Sequence, residues 1–275
     1  MLSCKTKYPV ILVHGMGFRD RKIFNYWGRI PKELEKRGCK VFYGNQDANA
    51  TVHNNAVMLR KSLYNALEKS GSEKVNIIAH SKGGIDSRYL ISSLKEYNRI
   101  ASLSTIDAPH NGSETVDFLM KFPDILVKLT GKITDFFMYI QGDRKPDSYR
   151  VFHELTTDYM KKFNFENPDI PEVYYQSFGF RMKNPFSDII MAFPYSVIRL
   201  IEHSDTDGLL TERAMRWTNF RGMYTSPERR GISHCDATDL RRRAFSGKKP
   251  QNEYEVSDIV DFYVKLVSEL KEMGL

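Results

Sequence analysis

The chain has 275 residues, of which 41% are hydrophobic and 27% are charged. This composition is sufficient for one large core, so we expect a single domain spanning 1–275. The formal net charge of +7 is scattered, and the densest basic cluster, Arg241–Arg243, has no interleaved aromatic residues, which argues against nucleic acid as a partner.

No apolar stretch reaches the ~20 residues that a transmembrane segment requires. No charged start followed by a long apolar run precedes Pro9, so we expect no signal peptide and a cytoplasmic protein. The alternative is a secreted protein whose leader has been trimmed. The three cysteines are odd in number and widely spaced, and they predict neither a disulfide framework nor a metal pair: Cys4, Cys39 and Cys235.

Short apolar runs alternate with amphipathic stretches along the chain. This alternation predicts an α/β fold with a mostly parallel central sheet and helices on both faces. The predicted strands are Pro9–Val13, Lys40–Tyr43, Val75–Ala79, Ile100–Ile106, Val173–Phe180 and Phe220–Tyr224. The predicted helices are Tyr26–Lys36, Asn54–Lys69, Gly84–Leu94 and Ser257–Met273, the last with Ser257 as its N-cap and an apolar stripe that should cover one face of the sheet.

A strand, a sharp turn and a helix follow one another around Ser81. The apolar strand Val75–Ala79 leads directly into His80-Ser-Lys-Gly-Gly84 and then into an amphipathic helix. A nucleophile elbow requires this order, together with small residues two before and two after the serine, here Ala79 and Gly83. Ser81 is therefore the predicted nucleophile. An ordinary strand-to-helix turn is the alternative interpretation.

A serine nucleophile that attacks a carbonyl needs two backbone N–H groups to bind the developing oxyanion. One should be the N–H of Lys82, directly after the serine. The loop after the first strand, His14-Gly-Met-Gly-Phe18, is placed to supply the second, which we assign to Met16. The alternative is a glycine turn closed by a hydrogen bond from His14.

The acid and base of such a site follow the serine in the order Asp or Glu, then His. Among the seven histidines, His234 lies in a loop after the last strand and before the final helix, which predicts that it is the base. Asp207 precedes Gly208, whose turn can aim the carboxylate at the imidazole, and it is the predicted acid. Asp205 is then a solvated neighbour, and His203 lies too close in sequence to Asp207 to be its partner.

Four motifs in order resemble those of the bacterial triacylglycerol lipase and carboxylesterase family of the α/β-hydrolase superfamily. They are Val13-His-Gly-Met-Gly-Phe18, Ile78-Ala-His-Ser-Lys-Gly-Gly84, Leu103-Ser-Thr-Ile-Asp-Ala-Pro-His-Asn-Gly112 and Asp207-Gly-Leu-Leu210. The resemblance implies an α/β-hydrolase core with a helical lid over an apolar acyl pocket. The aromatic-rich segment 113–147 matches the place of the lid, and 184–201 matches a second flap; core helices are the alternative explanation of these aromatics.

Many members of that family also bind a structural calcium ion. The resemblance implies Asp236, two residues after the predicted base, and Asp188 as its ligands. Without a cation, Asp236 would cap the following helix. The zinc-binding insertion of some members has no room between Ser81 and Thr105, so zinc is not expected.

The sequence therefore predicts a serine hydrolase that cleaves acyl esters through Ser81, Asp207 and His234. A lipase or carboxylesterase of this kind needs no cofactor for its chemistry, takes an acyl ester or lipid as substrate and contacts a lipid interface transiently. Two alternatives stay open. The same residues could cleave a thioester, amide, lactone or polyester, or the fold could be a catalytically silent lipid-binding module.

Overall fold

The computed structural model describes residues 2–20 and 25–275. In this part of the chain, six parallel strands form one sheet in the order β2-β1-β3-β4-β5-β6. The strands are β1 (Val10–Val13), β2 (Val41–Tyr43), β3 (Val75–His80), β4 (Ile100–Ile106), β5 (Tyr174–Phe180) and β6 (Phe220–Tyr224). The chain winds outward from β1 to β2 and then back across β1 to β3, so the carboxyl ends of β1 and β3 flank a topological switch point, where open parallel sheets bind ligands.

Helices cover both faces of the sheet, as predicted. They are α1 (Ile30–Lys36), α2 (Val52–Ser70), α3 (Lys82–Ile91), α4 (Glu114–Leu119), α5 (Asp124–Ile140), α6 (Ser148–Glu154), α7 (Thr157–Glu166), α8 (Ala192–Ile201), α9 (Glu212–Met215) and α10 (Ile259–Glu272). Successive residues of a strand point to opposite faces. Val10 and Leu12 therefore join α1 and α10 in one core cluster, whereas Ile11 and Val13 join α2 and α3 in the other.

The predicted strands are confirmed to within a residue at each end, whereas the four predicted helices each start two to four residues from the predicted position. Helix α1 begins at Ile30 rather than Tyr26, because Asn25 Oδ1 accepts the Trp27 N–H and Gly28 adopts a φ of +53°, which closes a turn before the helix. Helix α10 is capped by Asp258, which accepts the Val260 N–H, and not by Ser257.

Segments 113–147 and 184–201, the predicted lid and second flap, form helices that pack on other helices. Helix α5 packs on α6, and α4 packs on α8. Helix α5 buries only Val127, Gly131 and Met138, and it leaves a row of large apolar side chains exposed: Ile125, Leu126, Leu129, Ile133, Phe136, Phe137, Tyr139 and Ile140. Among the described helices, none combines the length and apolar character needed to cross a membrane.

Candidate active site

Ser81 lies on a strained turn between β3 and α3. Its φ of +53° and ψ of −133° place it in a backbone region that non-glycine residues rarely adopt. The turn is tight because α3 passes close to the loop after β1: a Cβ added at Gly83 would lie 2.4 Å from the His14 carbonyl oxygen. The small residue at position 83 is thus required by backbone proximity, as the motif predicts.

A continuous hydrogen-bonded chain joins the three residues that the sequence singled out. His234 Nε2 lies 3.0 Å from Ser81 Oγ, and His234 Nδ1 lies 2.5 Å from Asp207 Oδ2. A carboxylate only accepts hydrogen bonds, so Nδ1 carries the imidazole proton and Nε2 is left to accept the Ser81 hydroxyl proton. All three side chains are more than nine-tenths buried, so their hydrogen bonds are largely shielded from water.

Asp207 is held by a short turn that orients its carboxylate. Gly208 has a φ of +100°, and Asp207 Oδ1 accepts the N–H groups of Leu209 at 2.8 Å and Leu210 at 2.7 Å. The His234 N–H in turn donates to the Asp207 carbonyl at 2.9 Å, which fixes the two loops to each other. Asp205 lies outside this arrangement and pairs with Arg181 at 2.8 Å.

The loop after β1 lies directly beside Ser81, because a Cβ added at Gly15 would lie 2.7 Å from Ser81 Cβ. The Gly15 N–H donates to Tyr26 Oη at 3.1 Å, and the Gly17 N–H donates to Asn49 Oδ1 at 3.0 Å. Within the described residues, the N–H groups of Met16 and Lys82 have no protein acceptor. These are the two N–H groups that the sequence assigned to the oxyanion.

The alternative interpretation of the loop after β1 was a glycine turn closed by a hydrogen bond from His14. The structure contains a matching contact, since His14 Nδ1 lies 2.8 Å from the Gly15 carbonyl oxygen. His14 Nε2 also lies 3.1 Å from the Gln46 carbonyl oxygen, and burial lowers the pKa of His14 to about 4, so the neutral ring donates a hydrogen bond to one of these two carbonyls. This bond rigidifies the loop and leaves the Met16 N–H free. The two interpretations are therefore compatible.

Three residues around the triad were given no role by the sequence analysis. His80, directly before Ser81, lies 2.7 Å from Tyr26 Oη through its Nδ1, and its ring packs 4.5 Å from that of His234. Asp107, directly after β4, is fully buried near both histidines. The sequence could have indicated His80 and Asp107 as site residues, because both lie at the carboxyl end of a buried parallel strand, where such sheets bind ligands. Tyr26 lies in a predicted helix and carried no such signal.

The metal-ligand pattern at His80, Asp107 and His234 does not form a vacant metal site. One potential ligand atom from each lies within 4.8 Å of the others. However, both ring nitrogens of His234 are occupied, by Ser81 and by Asp207. Burial and the nearby His234 ring lower the pKa of His80, so the His80 ring is neutral.

The predicted calcium ligands, Asp188 and Asp236, converge on Ser233. Asp188 accepts from the Ile190 N–H and from Ser233 Oγ, at 3.0 and 2.7 Å. Asp236 pairs with Arg230 at 2.8 Å and with Arg241 at 2.9 Å. Both Asp188 oxygens and Asp236 Oδ2 therefore accept hydrogen bonds, and two guanidinium groups supply positive charge at Asp236. Asp236 does not cap a helix, since Cys235 is the residue at that N-cap.

A cavity of about 980 Å³ opens at Ser81 and His234. This volume lies at the upper end of the range for small-molecule pockets. Its walls are mostly apolar side chains from α4, α8 and the loops between them: Phe118, Leu119, Phe122, Phe193, Val197 and Ile198. The arrangement places a buried hydroxyl, an imidazole and a carboxylate at the mouth of an apolar chamber.

Comparison with known proteins gives a family and several relatives. Residues 9–167 match the model of the palmitoyl protein thioesterase family. Triacylglycerol lipase 2 of Saccharomyces cerevisiae is 28% identical over 265 residues, which cover 90% of this chain and 74% of that protein. Triacylglycerol lipases of several bacteria match shorter parts of the chain, and that of Pseudomonas fragi is 30% identical over 60% of this chain and 59% of its own length.

Solved structures of hydrolases share the fold. A metagenomic carboxyl esterase superposes with a TM-score of 0.72 at 15% identity, covering 98% of this chain and 77% of that one. The mature form of a Bacillus licheniformis lipase superposes with a TM-score of 0.62 at 21% identity, covering 84% and 86%. These similarities confirm the predicted α/β-hydrolase fold.

Proposed function

The chain belongs to the palmitoyl protein thioesterase family of the α/β-hydrolase superfamily. We propose that it is a lipase-type serine hydrolase of long-chain acyl esters. The observation that carries the proposal is the hydrogen-bonded chain from Asp207 through His234 to Ser81 at the mouth of the apolar cavity. Relatives named triacylglycerol lipase support the same class of substrate.

The proposed mechanism uses only groups of this chain. His234 Nε2 accepts the Ser81 hydroxyl proton as Oγ attacks the ester carbonyl carbon, and the imidazolium is stabilised by Asp207. The N–H groups of Met16 and Lys82 bind the oxyanion. Collapse of the tetrahedral intermediate expels the alcohol, which takes its proton from His234. A water molecule, activated by the same imidazole, then hydrolyses the acyl-enzyme and releases the acid.

The walls of the cavity support an acyl chain as the group bound beside Ser81. Burying apolar surface contributes ~25 cal/mol per Å², or about 0.8 kcal/mol per methylene, so each added carbon of the chain should strengthen binding until the chamber is filled. We expect kcat/KM to rise with acyl length over the range that the cavity accommodates.

Helices α4, α5 and α8 are the proposed lid and flap. Side chains of α4 and α8 line the cavity, whereas α5 presents an exposed apolar row to solvent. Large exposed apolar patches are typical of sites that contact lipid or protein. The double variant Ile133→Ser, Phe137→Ser should bind phosphatidylcholine vesicles more weakly and lose activity on emulsions. It should keep the wild-type rate on a soluble short-chain ester.

The function is tested with p-nitrophenyl esters of graded chain length and with a triacylglycerol emulsion. Wild type should hydrolyse them, and Ser81→Ala should reduce kcat to near the uncatalysed rate. Ser92→Ala, a serine at the end of the same helix, serves as the matched control and should be unaffected. Absence of hydrolysis by wild type, or full activity of Ser81→Ala, would reject the proposal and favour a silent lipid-binding module.

A thioesterase is the second candidate, because the matching family model carries that activity in its name. The same triad can attack either an oxygen ester or a thioester. Matched palmitoyl substrates, one an oxygen ester and one a thioester, separate the two. A higher kcat/KM for the thioester would assign the thioesterase function, and Ser81→Ala should abolish both reactions.

A further inference from the structure

The loop after β1 places the Met16 N–H between two glycines. Glycine has more backbone freedom than any other residue, so the peptide plane between Gly15 and Gly17 keeps one orientation only if the loop is anchored on both sides. On the side before Met16, the Gly15 N–H donates to Tyr26 Oη at 3.1 Å. On the side after it, the Gly17 N–H donates to Asn49 Oδ1 at 3.0 Å. The second anchor is therefore a single side-chain amide.

Asn49 lies between β2 and α2, and it is fully buried with a partner for each of its four polar groups. Its Oδ1 accepts the Gly17 N–H, and its Nδ2 donates to Ser148 Oγ at 2.8 Å. Its backbone N–H donates to Asp143 Oδ2 at 2.9 Å, and its carbonyl oxygen accepts the Asp147 N–H at 2.8 Å. A flipped side-chain amide would set the Nδ2 donor against the Gly17 N–H donor, so these contacts fix the orientation of the amide.

Three of these four partners belong to the segment 142–148, which follows α5. Other hydrogen bonds hold the same segment against the loop that carries Asn49. Asp143 Oδ1 accepts the Ala48 N–H at 2.9 Å, and Asp47 Oδ2 accepts the N–H groups of Arg144 at 2.7 Å and Lys145 at 2.8 Å. A side chain that is fixed from this side gives the Gly17 N–H an acceptor at a defined position.

We propose that Asn49 is a positioning residue: its amide fixes the Gly17 peptide and thereby aims the Met16 N–H at the oxygen that gains charge during acyl transfer. The inference rests on the proposed function, because this aim matters only if Ser81 attacks a carbonyl group. The Met16 N–H has no protein acceptor within the described residues. Oxyanion donors stabilise the transition state when they are oriented in advance, so a loop free to rotate would lower kcat and leave binding of the acyl chain unchanged.

The first test compares two ligands, a trifluoromethyl ketone with a long alkyl chain and the alcohol made from it by reduction. Ser81 Oγ forms a bond to the ketone carbon, its proton passes to His234, and the electron pair of the C=O bond becomes the charge on the oxygen. The alcohol fills the same cavity and forms no adduct. Asn49→Ala should weaken binding of the ketone, measured by fluorine NMR, by about 10- to 100-fold and binding of the alcohol by less than about threefold. Equal weakening of both would show a deformed cavity and would overturn the proposal.

Two further variants separate positioning from general stability. Ser148→Ala removes the partner of Asn49 Nδ2 but leaves the bond to Gly17, so it should weaken ketone binding by less than about threefold. Asn167→Ala removes another buried asparagine, whose side chain forms two hydrogen bonds outside the site. It should lower the thermal midpoint and leave ketone binding at the wild-type value. If either variant weakens ketone binding as strongly as Asn49→Ala does, the positioning role is rejected.

Amide hydrogen exchange measures the anchor without any substrate or ligand. The Gly17 N–H of wild type should be protected, and Asn49→Ala should speed its exchange by about tenfold or more while the Gly15 N–H keeps its protection. An unprotected Gly17 N–H in folded wild type would overturn the inference even if the variant does not fold. A protected Gly17 N–H in a protein that hydrolyses no ester or thioester would reject the proposed function and keep the anchor, so the two failures are distinguishable.

Discussion

The Tyr26 hydroxyl links the loop after β1 to the residue that precedes Ser81. It accepts the Gly15 N–H at 3.1 Å and lies 2.7 Å from His80 Nδ1. Among the described residues, His80 Nδ1 is the acceptor within reach of the phenol proton, so Tyr26 donates to Nδ1 and the His80 proton lies on Nε2. Burial raises the pKa of Tyr26, so the phenol stays protonated and keeps its hydrogen bonds to Gly15 and His80.

Tyr26→Phe should therefore destabilise the fold and loosen the site. The change leaves a buried N–H and a buried imidazole nitrogen without a partner, and each such loss costs about 1–3 kcal/mol. We expect a lower free energy of unfolding in urea and a reduced kcat. Tyr139→Phe, on the exposed face of α5, is the control and should change neither. Equal stability of both variants would contradict the role given to the Tyr26 hydroxyl.

Gly83→Ala should disrupt the turn that carries Ser81. The added Cβ would lie 2.4 Å from the His14 carbonyl oxygen and 2.7 Å from that of Val13, so α3 must move away from β1. Overpacking of this kind costs about 1–3 kcal/mol, and the shift should reduce kcat. Gly247→Ala, where the new Cβ meets no atom within 4 Å, should behave like wild type in thermal melts and in ester hydrolysis.

Removal of metal ions by a chelator should leave the thermal stability of the protein unchanged. Arg230 and Arg241 already neutralise Asp236, so EDTA should not lower the thermal midpoint and added calcium should not raise it. Arg241→Ala should reduce stability by about 1.5–3 kcal/mol, because a buried carboxylate loses a charged partner. A fall in the midpoint of wild type on chelation would show that calcium binds after all.

The buried carboxyl group of Glu154 should make the free energy of unfolding depend on pH. Its Oε2 accepts the Val52 N–H at 2.8 Å, and burial raises its pKa from 4.5 to about 6. A raised folded-state pKa means that the stability contributed by the protonated group is complete below pH 4.5 and is lost as the pH rises through 6.

Glu154→Gln removes this titration. The free energy of unfolding of the variant, relative to wild type, should rise by about 2 kcal/mol between pH 4.5 and pH 8. Urea unfolding of both proteins at the two pH values measures the difference. A difference that stays constant, or that falls with pH, would contradict the raised pKa.

The strands and the order of the site residues were predictable because buried parallel strands give continuous apolar runs. The carboxyl ends of those runs located Ser81, Met16 and Lys82 directly. The loops that carry Asp207 and His234 were found from their order after the serine, and the structure brings both side chains to Ser81.

What the sequence could not provide was the partner of each buried charge. Asp236 was predicted as a cation ligand, and nothing in the sequence indicated that Arg230 and Arg241 pair with it. Tyr26 lay in a predicted helix, but its hydroxyl contacts His80, which lies 54 residues further along the chain. Contacts over such sequence distances leave no periodic signal, so they were not predicted.

Trapping the acyl-enzyme tests the central claim most directly. Wild type mixed with a p-nitrophenyl long-chain ester and quenched early should gain the mass of one acyl group, and peptide mass spectrometry should locate it on Ser81. His234→Ala should accumulate none above background, and Ser81→Ala should gain nothing. Rapid hydrolysis without a covalent adduct, or an adduct on a residue other than Ser81, would contradict the mechanism.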